Sequence, residues 1–164
     1  MGPERSITIR TAVDDDAPGI ADVHVRAWRE AYAHLLPAAF LASLDPEGRT
    51  ARWRRIIADP SVAVQVAELD GRVVGWANAG PGRDEQPVRD RELEGLYVLA
   101  SVYGSGAGQA LLDAAVGSAP AFLWVADDNA RAEAFYRRNG FRRDGAQKTE
   151  RLGEVDLLAA RMVR

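Results

Sequence analysis

The chain has 164 residues, 47% of them apolar and 27% charged, a composition that supports a packed core and excludes a disordered chain. Its formal charge of −3 argues against nucleic acid as a partner, and the lack of cysteine excludes a disulfide, a thiolate nucleophile and a cysteine metal site. The length favours one domain over residues 1–164, and with no signal-like or membrane-length apolar run the expectation is a cytoplasmic protein without a membrane partner.

After a short polar tail over residues 1–5, Ser6 to Arg10 alternates as a first strand, with Ile7 and Ile9 on one face. Asp14-Asp15-Asp16 predicts a helix start in which carboxylates cap free amides, and Pro18 is tolerated only in its first turn. Ile20, Val23, His24, Ala27, Trp28 and Ala31 then keep helical spacing until Pro37. A second helical stretch is predicted from Ala38 to Ile57, interrupted at Asp45-Pro46-Glu47-Gly48. Past Asp59-Pro60, Val62, Val64 and Val66 alternate, and Asp70-Gly71 turns a hairpin into Val73 to Ala79. Gly80 to Asp90 reads as a polar surface loop.

The stretch from Glu92 to Leu112 organises the rest. Leu93, Gly95 and Tyr97 alternate with Glu94, Leu96 and Val98, the period of an internal strand. Gly104, Gly106 and Gly108 follow at every second position, and Ala110, Leu111, Ala114 and Ala115 give a helical apolar face. Such glycines let a ligand approach the backbone, and free N–H groups at the positive end of a helix favour a phosphate. Tight packing alone would also account for alternating glycines. The spacing matches neither GxxxxGK[ST] nor G-x-G-x-x-G, which leaves a pyrophosphate-sized cradle of a different kind.

Downstream, Pro120 precedes a strand from Ala121 to Ala126, and Asp127-Asp128-Asn129 turns the chain into a helix carrying Ala130, Ala134, Phe135 and Tyr136. Asn139-Gly140 stops that helix. Phe141 to Arg143 and Glu154 to Met162 are predicted as final strands, separated by a polar stretch around Gln147 to Gly153. The fold class is α/β, a central mixed β-sheet flanked by helices; the antiparallel hairpin argues against a purely parallel, doubly wound sheet.

Leu96-Tyr97-Val98 through GSGAG-QALL, with Asn129, Ala132, Phe135, Tyr136, Gly140 and Phe141 in the later N-x-x-A-x-x-F-Y-x-x-x-G-F segment, resembles the GNAT superfamily of acetyl-CoA-dependent N-acetyltransferases. The family loop is Q/R-x-x-G-x-G/A, and Tyr103 stands where many members carry Gln or Arg, a change expected to alter one side-chain contact while leaving the backbone amides in place. The resemblance implies the GNAT-like acyl-CoA N-acyltransferase fold, with acetyl-CoA as acyl donor at a splay between two parallel strands. Pyrophosphate would meet the amides of Tyr103, Gly104, Ser105, Gly106, Ala107 and Gly108, and pantetheine would pair with backbone at Tyr97, Val98 and Leu99.

The same resemblance implies acid catalysis by Tyr136, whose hydroxyl would protonate the departing thiolate; a packed aromatic with a satisfied hydroxyl is the structural alternative. Glu92 is the preferred base because some members place a glutamate there, and Glu94 shares its strand face by two-residue spacing. Asn129 is read as a helix cap or a cofactor contact. Val25 to Pro37 is similar to an SWRxAYxG-type segment of a bacterial branch, which makes Trp28 and Tyr32, four apart, either acceptor-pocket residues or core aromatics. His24 is read as a packed histidine, Trp76 as an acceptor contact or sheet core, and no metal site is expected. Arg49, Arg52, Arg54 and Arg55 read as a solvated helix face, and Arg137, Arg138, Arg142 and Arg143 as surface residues or contacts to the adenosine phosphate. The expected reaction is direct acetyl transfer to a primary amine in a ternary complex, the acceptor a small-molecule amine or peptide amine and the protein a monomer or homodimer. A noncatalytic acyl-CoA-binding sensor or interaction domain is the competing reading, and a nucleotide-binding enzyme of another family is disfavoured by the loop spacing.

Overall fold

Alternating valines and a tight turn build the centre of the sheet. In the computed structural model, which describes residues 5–164, β2 (Ala63–Leu69) and β3 (Arg72–Pro81) pair antiparallel across Asp70 and Gly71, whose φ angles of 51° and 75° suit a two-residue hairpin turn. β1 (Thr8–Thr11) joins one side, and β4 (Arg91–Val98) pairs antiparallel with β3 on the other. The whole sheet has seven strands in the order β1-β2-β3-β4-β5-β7-β6, where β5 is Phe122–Ala126, β6 Arg142–Leu152 and β7 Val155–Val163. All neighbours are antiparallel except β4 and β5. The expected mixed sheet flanked by helices is therefore what the chain forms.

Helices cover both faces. Trp76 on β3 packs against His24 of α1 (Ala17–Ala31) and Trp53 of α3 (Pro46–Ala58), with ring centroids 5.4 and 4.4 Å away. The adjacent Gly75 points the opposite way, where an added Cβ would stand 3.2 Å from Leu111 of α4 (Ala107–Ala115) and 2.8 Å from Val98. Glycine at this position lets α4 press closely on the sheet. Between α1 and α3 lies the short α2 (Ala38–Ala42). Asp45-Pro46-Glu47-Gly48 does more than interrupt the predicted second helix: the Asp45 carboxylate accepts the Glu47 and Gly48 N–H groups at 3.0 and 3.1 Å and starts α3, with Pro46 in its first turn.

Three expectations are corrected. Asp14–Asp16 forms a 3-10 turn before α1, and Asp16 does not cap that helix; its buried carboxylate accepts the Val13 N–H and both Nη groups of Arg10 at 2.8, 2.8 and 2.9 Å. The polar stretch from Gln147 to Gly153 is not a separator, because β6 runs through it to Leu152. As the outer strand β6 faces solvent along much of its length and needs no apolar alternation, so its sequence carries no strand signal. The segment read as a surface loop, Gly80 to Asp90, is only partly one, since β3 continues to Pro81. The first strand lies at Thr8–Thr11, slightly later than predicted, and of the predicted tail residues 1–4 fall outside the described residues. No helix among the described residues is long and apolar enough to cross a membrane.

Candidate active site

The site begins where the sheet stops being continuous. β4 and β5 pair only at Glu92 with Phe122 and Leu93 with Leu123, and beyond these residues the strands part. On the other side of β4 the Leu99 N–H donates to the Val74 carbonyl at 2.9 Å. Strand alternation then turns the N–H groups of Val98 and Leu96 toward the open seam. A cavity of about 470 Å³ fills this seam, bounded by Leu96, Val98, the glycine loop and Phe135 and Tyr136 of α5 (Ala130–Arg138).

The glycine loop forms the upper wall. Gly104 and Gly106 have φ of 77° and 87°, a region that favours glycine, and a Cβ on either would meet nothing within 4 Å. Gly106 sits at the N-cap of α4, and Ser105 Oγ accepts the Ala107 N–H at 3.3 Å. The N–H groups of Gly104, Gly106 and Gly108 find no acceptor among the described residues. Three amides thus stay available beside the positive end of a helix, a fit for a diphosphate. Tyr103 lines the same cavity, and the Arg131 guanidinium lies 3.5 Å over its ring. Ala107 and Gly108 line it too, whereas the side chains of Leu99 and Ser105 do not.

Tyr136 reaches this cavity from α5 while only 7% exposed, and burial pushes its phenol well above the ordinary value. Its hydroxyl has no hydrogen-bond partner among the described residues, which leaves it able to donate to a ligand. Asn129 caps α5 by accepting the Ala132 N–H at 3.3 Å, and it also lines the cavity. The Tyr32 and Tyr97 hydroxyls meet at 2.8 Å, and both residues border the seam cavity and a second cavity beside it. Burial raises both phenols above their ordinary value.

The second cavity, about 490 Å³, lies between α1, α3, the β3–β4 face and the β6–β7 hairpin, which brings Glu150 and Arg151 to its wall. Trp28 lines it, as do Trp53, Trp76 and Tyr97. His24 stands among these rings; its Nδ1 accepts the Trp53 indole N–H at 3.3 Å, and burial, with help from Arg49 and Arg52, pushes it down to about 3. It is therefore a neutral, packed histidine at physiological pH. Among the described residues no group of three or more His, Cys, Asp or Glu is arranged to hold a metal ion.

The two candidate bases sit in different settings. Glu92 lines the second cavity but is only 1% exposed and committed to Arg83, whose backbone N–H, Nε and Nη2 donate to it at 2.9, 3.2 and 2.7 Å. Glu94 borders both cavities and accepts the Asn78 amide at 2.7 Å. Burial raises its carboxyl above the ordinary value, and Arg83, 3.6 Å away, opposes that shift. A register shift in β4 carries the chain from Leu93 opposite Ala79 to Gly95 opposite Asn78, leaving Glu94 as the extra residue. Hence Glu94 and Tyr97, three apart, both reach the second cavity, which simple alternation would forbid. Sequence reasoning missed Arg83 and Asn78. Neither carried a signal, because Arg83 lies in a stretch that reads as solvated loop and Asn78 on a strand flanked by small apolar residues.

The arginines divide. Arg137 pairs with Glu133, Arg143 with Glu133 and Asp127, and Arg142 donates to the Arg137 and Phe141 carbonyls; Arg138 lines the seam cavity. Arg54 and Arg55 are exposed as expected, but Arg49 is half-buried and lines the second cavity together with Arg52.

Residues 25–141 match the family described as acetyltransferase (GNAT). The chain is 35% identical to the uncharacterized N-acetyltransferase YuaI of Bacillus subtilis over 75% of this chain and 73% of that protein. It is 34% identical to an uncharacterized N-acetyltransferase of Mycobacterium bovis over 84% of this chain and 90% of that one. Among solved structures, yncA of Salmonella typhimurium, determined with its cofactor acetyl-CoA, superposes with a TM-score of 0.70 at 23% identity, covering 97% of this chain and 93% of that one. A ribosomal-protein-alanine N-acetyltransferase from Brucella melitensis gives 0.73 at 26% identity, over 96% and 98% of the two chains.

Proposed function

Since the chain belongs to the acetyltransferase (GNAT) family, we propose that it transfers the acetyl group of acetyl-CoA to a primary amine by direct attack in a ternary complex. The observation that carries this reading is the meeting of two cavities at Tyr32, Glu94 and Tyr97, one walled by free backbone amides and the other by aromatic rings. Acyl donor and acceptor can then approach each other from opposite sides, which makes the attack effectively intramolecular.

In this scheme the amides of Gly104, Gly106 and Gly108 hold the diphosphate of CoA, and the seam edge of β4 pairs with its pantetheine amides. The Val98 N–H polarises the thioester carbonyl and stabilises the oxyanion that develops there. Glu94 takes the ammonium proton, directly or through water, while Glu92 holds Arg83 against the same strand. The C–N bond forms, the C–S bond breaks, and Tyr136 donates its proton to the departing sulfur. Its raised value keeps the phenol protonated until that moment.

The test is release of free CoA thiol across a panel of amines, with wild type and Tyr136→Phe compared. Amine-dependent release is expected, with kcat reduced by about 10²-fold or more in the variant while CoA binding stays intact. CoA binding without release on any amine would instead make the protein an acyl-CoA sensor.

A further inference from the structure

The second cavity is chemically lopsided. Glu94 and Tyr97 border the seam cavity, whereas Arg49 and Arg52 line only the far chamber. Of the other lining arginines, Arg83 is taken by Glu92 and Glu94, and Arg151 pairs with Asp156 at 3.1 Å. Arg49 and Arg52 make no ion pair and no side-chain hydrogen bond among the described residues. Asp45, the carboxylate whose charge favours the Arg49 cation, caps α3 through the Glu47 and Gly48 amides and forms no ion pair with Arg49.

This matters because Arg49 is half-buried, with its Nε sealed from solvent and unpartnered. Burial and the neighbouring Arg52 both push its guanidinium below the ordinary value. A desolvated cation beside a like charge is unfavourable unless an anion joins it. The indole N–H groups of Trp28 and Trp76 are likewise buried and unpartnered, but they are sealed behind the rings, so what these residues present to the chamber is apolar ring surface. Of the lining carboxylates, Glu92 and Glu94 are held by Arg83 and Glu150 lies 3.6 Å from Lys148, which leaves Arg49 and Arg52 without a counter-ion in a chamber whose far end then complements an oxyanion. Its size, about 490 Å³, suits a small molecule.

We propose that the acceptor is a small amine bearing an oxyanion, a carboxylate or a phosphonate, with its amine at Glu94 and Tyr97 and its anionic end held by Arg49 and Arg52. This deepens the acetyl-transfer reading and rests on it. The carbon chain between the two groups lies along the tryptophan walls, which exclude water and strengthen the ionic contact. Polyamines are disfavoured at the Arg49–Arg52 end, because a second cation there would face two unpaired guanidinium groups.

The experiment measures kcat/KM with acetyl-CoA for α- and ω-amino acids, for the matching amines that lack the carboxylate, for aminoalkylphosphonates, for spermidine and for a short peptide. At least one amino acid or aminophosphonate is expected to exceed its uncharged counterpart by about 10-fold, the scale of a charge-assisted hydrogen bond. The carboxylate and phosphonate arms identify which oxyanion the site takes. Arg49→Gln and Arg52→Gln should each bring that ratio toward one, and the exposed Arg52 supplies a variant that leaves the packing of α3 undisturbed. Equal rates for charged and uncharged members, a preference for spermidine or the peptide, or a ratio unmoved by both variants would overturn the inference while leaving acetyl transfer standing. No thiol release with any amine would overturn both.

Discussion

The hydroxyls of Tyr32 and Tyr97 lie 2.8 Å apart, joining the C-terminal end of α1 to the end of β4 at the point where the two cavities meet. They pin a helix to the strand whose free edge faces the seam. Tyr97→Phe removes one partner and leaves the Tyr32 hydroxyl in a low-dielectric site. A loss of about 1 kcal/mol in urea denaturation is expected. Because the Val98 amide and the glycine loop are untouched, calorimetric CoA affinity should stay within a factor of about two to three, the usual range for an indirect effect of a few tenths of a kcal/mol.

Glu94 should set the acid limb of the reaction. Its carboxyl is raised by burial, so it remains protonated at pH values where an ordinary carboxylate has ionised. Activity that needs the ionised form then rises with pH through a midpoint above the usual carboxylate range. Glu94→Gln is expected to lower kcat/KM near neutral pH by about 10²-fold and to flatten that limb. A pH–rate profile of the two proteins checks it, and a limb abolished by Glu92→Gln and retained in Glu94→Gln would move the base to Glu92.

Why Tyr97 joins the two glutamates at the second cavity was not visible in the sequence. Counting by twos puts Glu92 and Glu94 on one face and Tyr97 on the other, but the bulge at Glu94 resets the count, and nothing in the residue types announces a bulge. The glycine loop and the Asn129-capped α5 were legible because their signals are local: positive φ demands glycine, and an N-cap demands a short acceptor. Arg49 and Arg83 were not, because a surface arginine and a buried one look alike until packing brings α3 over Trp76 and the 82–90 connection back onto Glu92. β6 escaped for a related reason, since an outer strand can be written almost wholly in polar residues.

Arg10 and Asp16 form the tie that closes the start of α1 onto the sheet edge. Asp16 accepts both Nη groups of Arg10, and that pairing holds its carboxyl below the usual range against the opposing effect of burial. A depressed folded value means the contribution is complete above the unfolded value, about 3.9, and fades as pH falls through the folded one. Asp16→Asn should cost about 1–3 kcal/mol at pH 7, toward the lower end because Arg10 is 37% exposed. The gap between the two proteins in urea denaturation should shrink at pH 3, and a constant gap would show that the ion pair contributes nothing.

Gly108 separates stability from binding. It lies in the first turn of α4, where an added Cβ would stand 3.8 Å from the Phe135 ring, an ordinary contact, with no positive φ to strain. Gly108→Ala should therefore leave stability unchanged or raise it by about 0.5–1 kcal/mol, because alanine loses less backbone freedom in a helix. The same methyl group projects into the seam cavity beside the free amides, where a diphosphate would need to touch the backbone. CoA affinity is expected to fall by about 10-fold, roughly 1.4 kcal/mol, while the thermal midpoint holds or rises. Calorimetry and a melting curve on the same sample decide the point. A lower midpoint with unchanged CoA binding would mean that this glycine serves packing against Phe135, and that the diphosphate lies elsewhere.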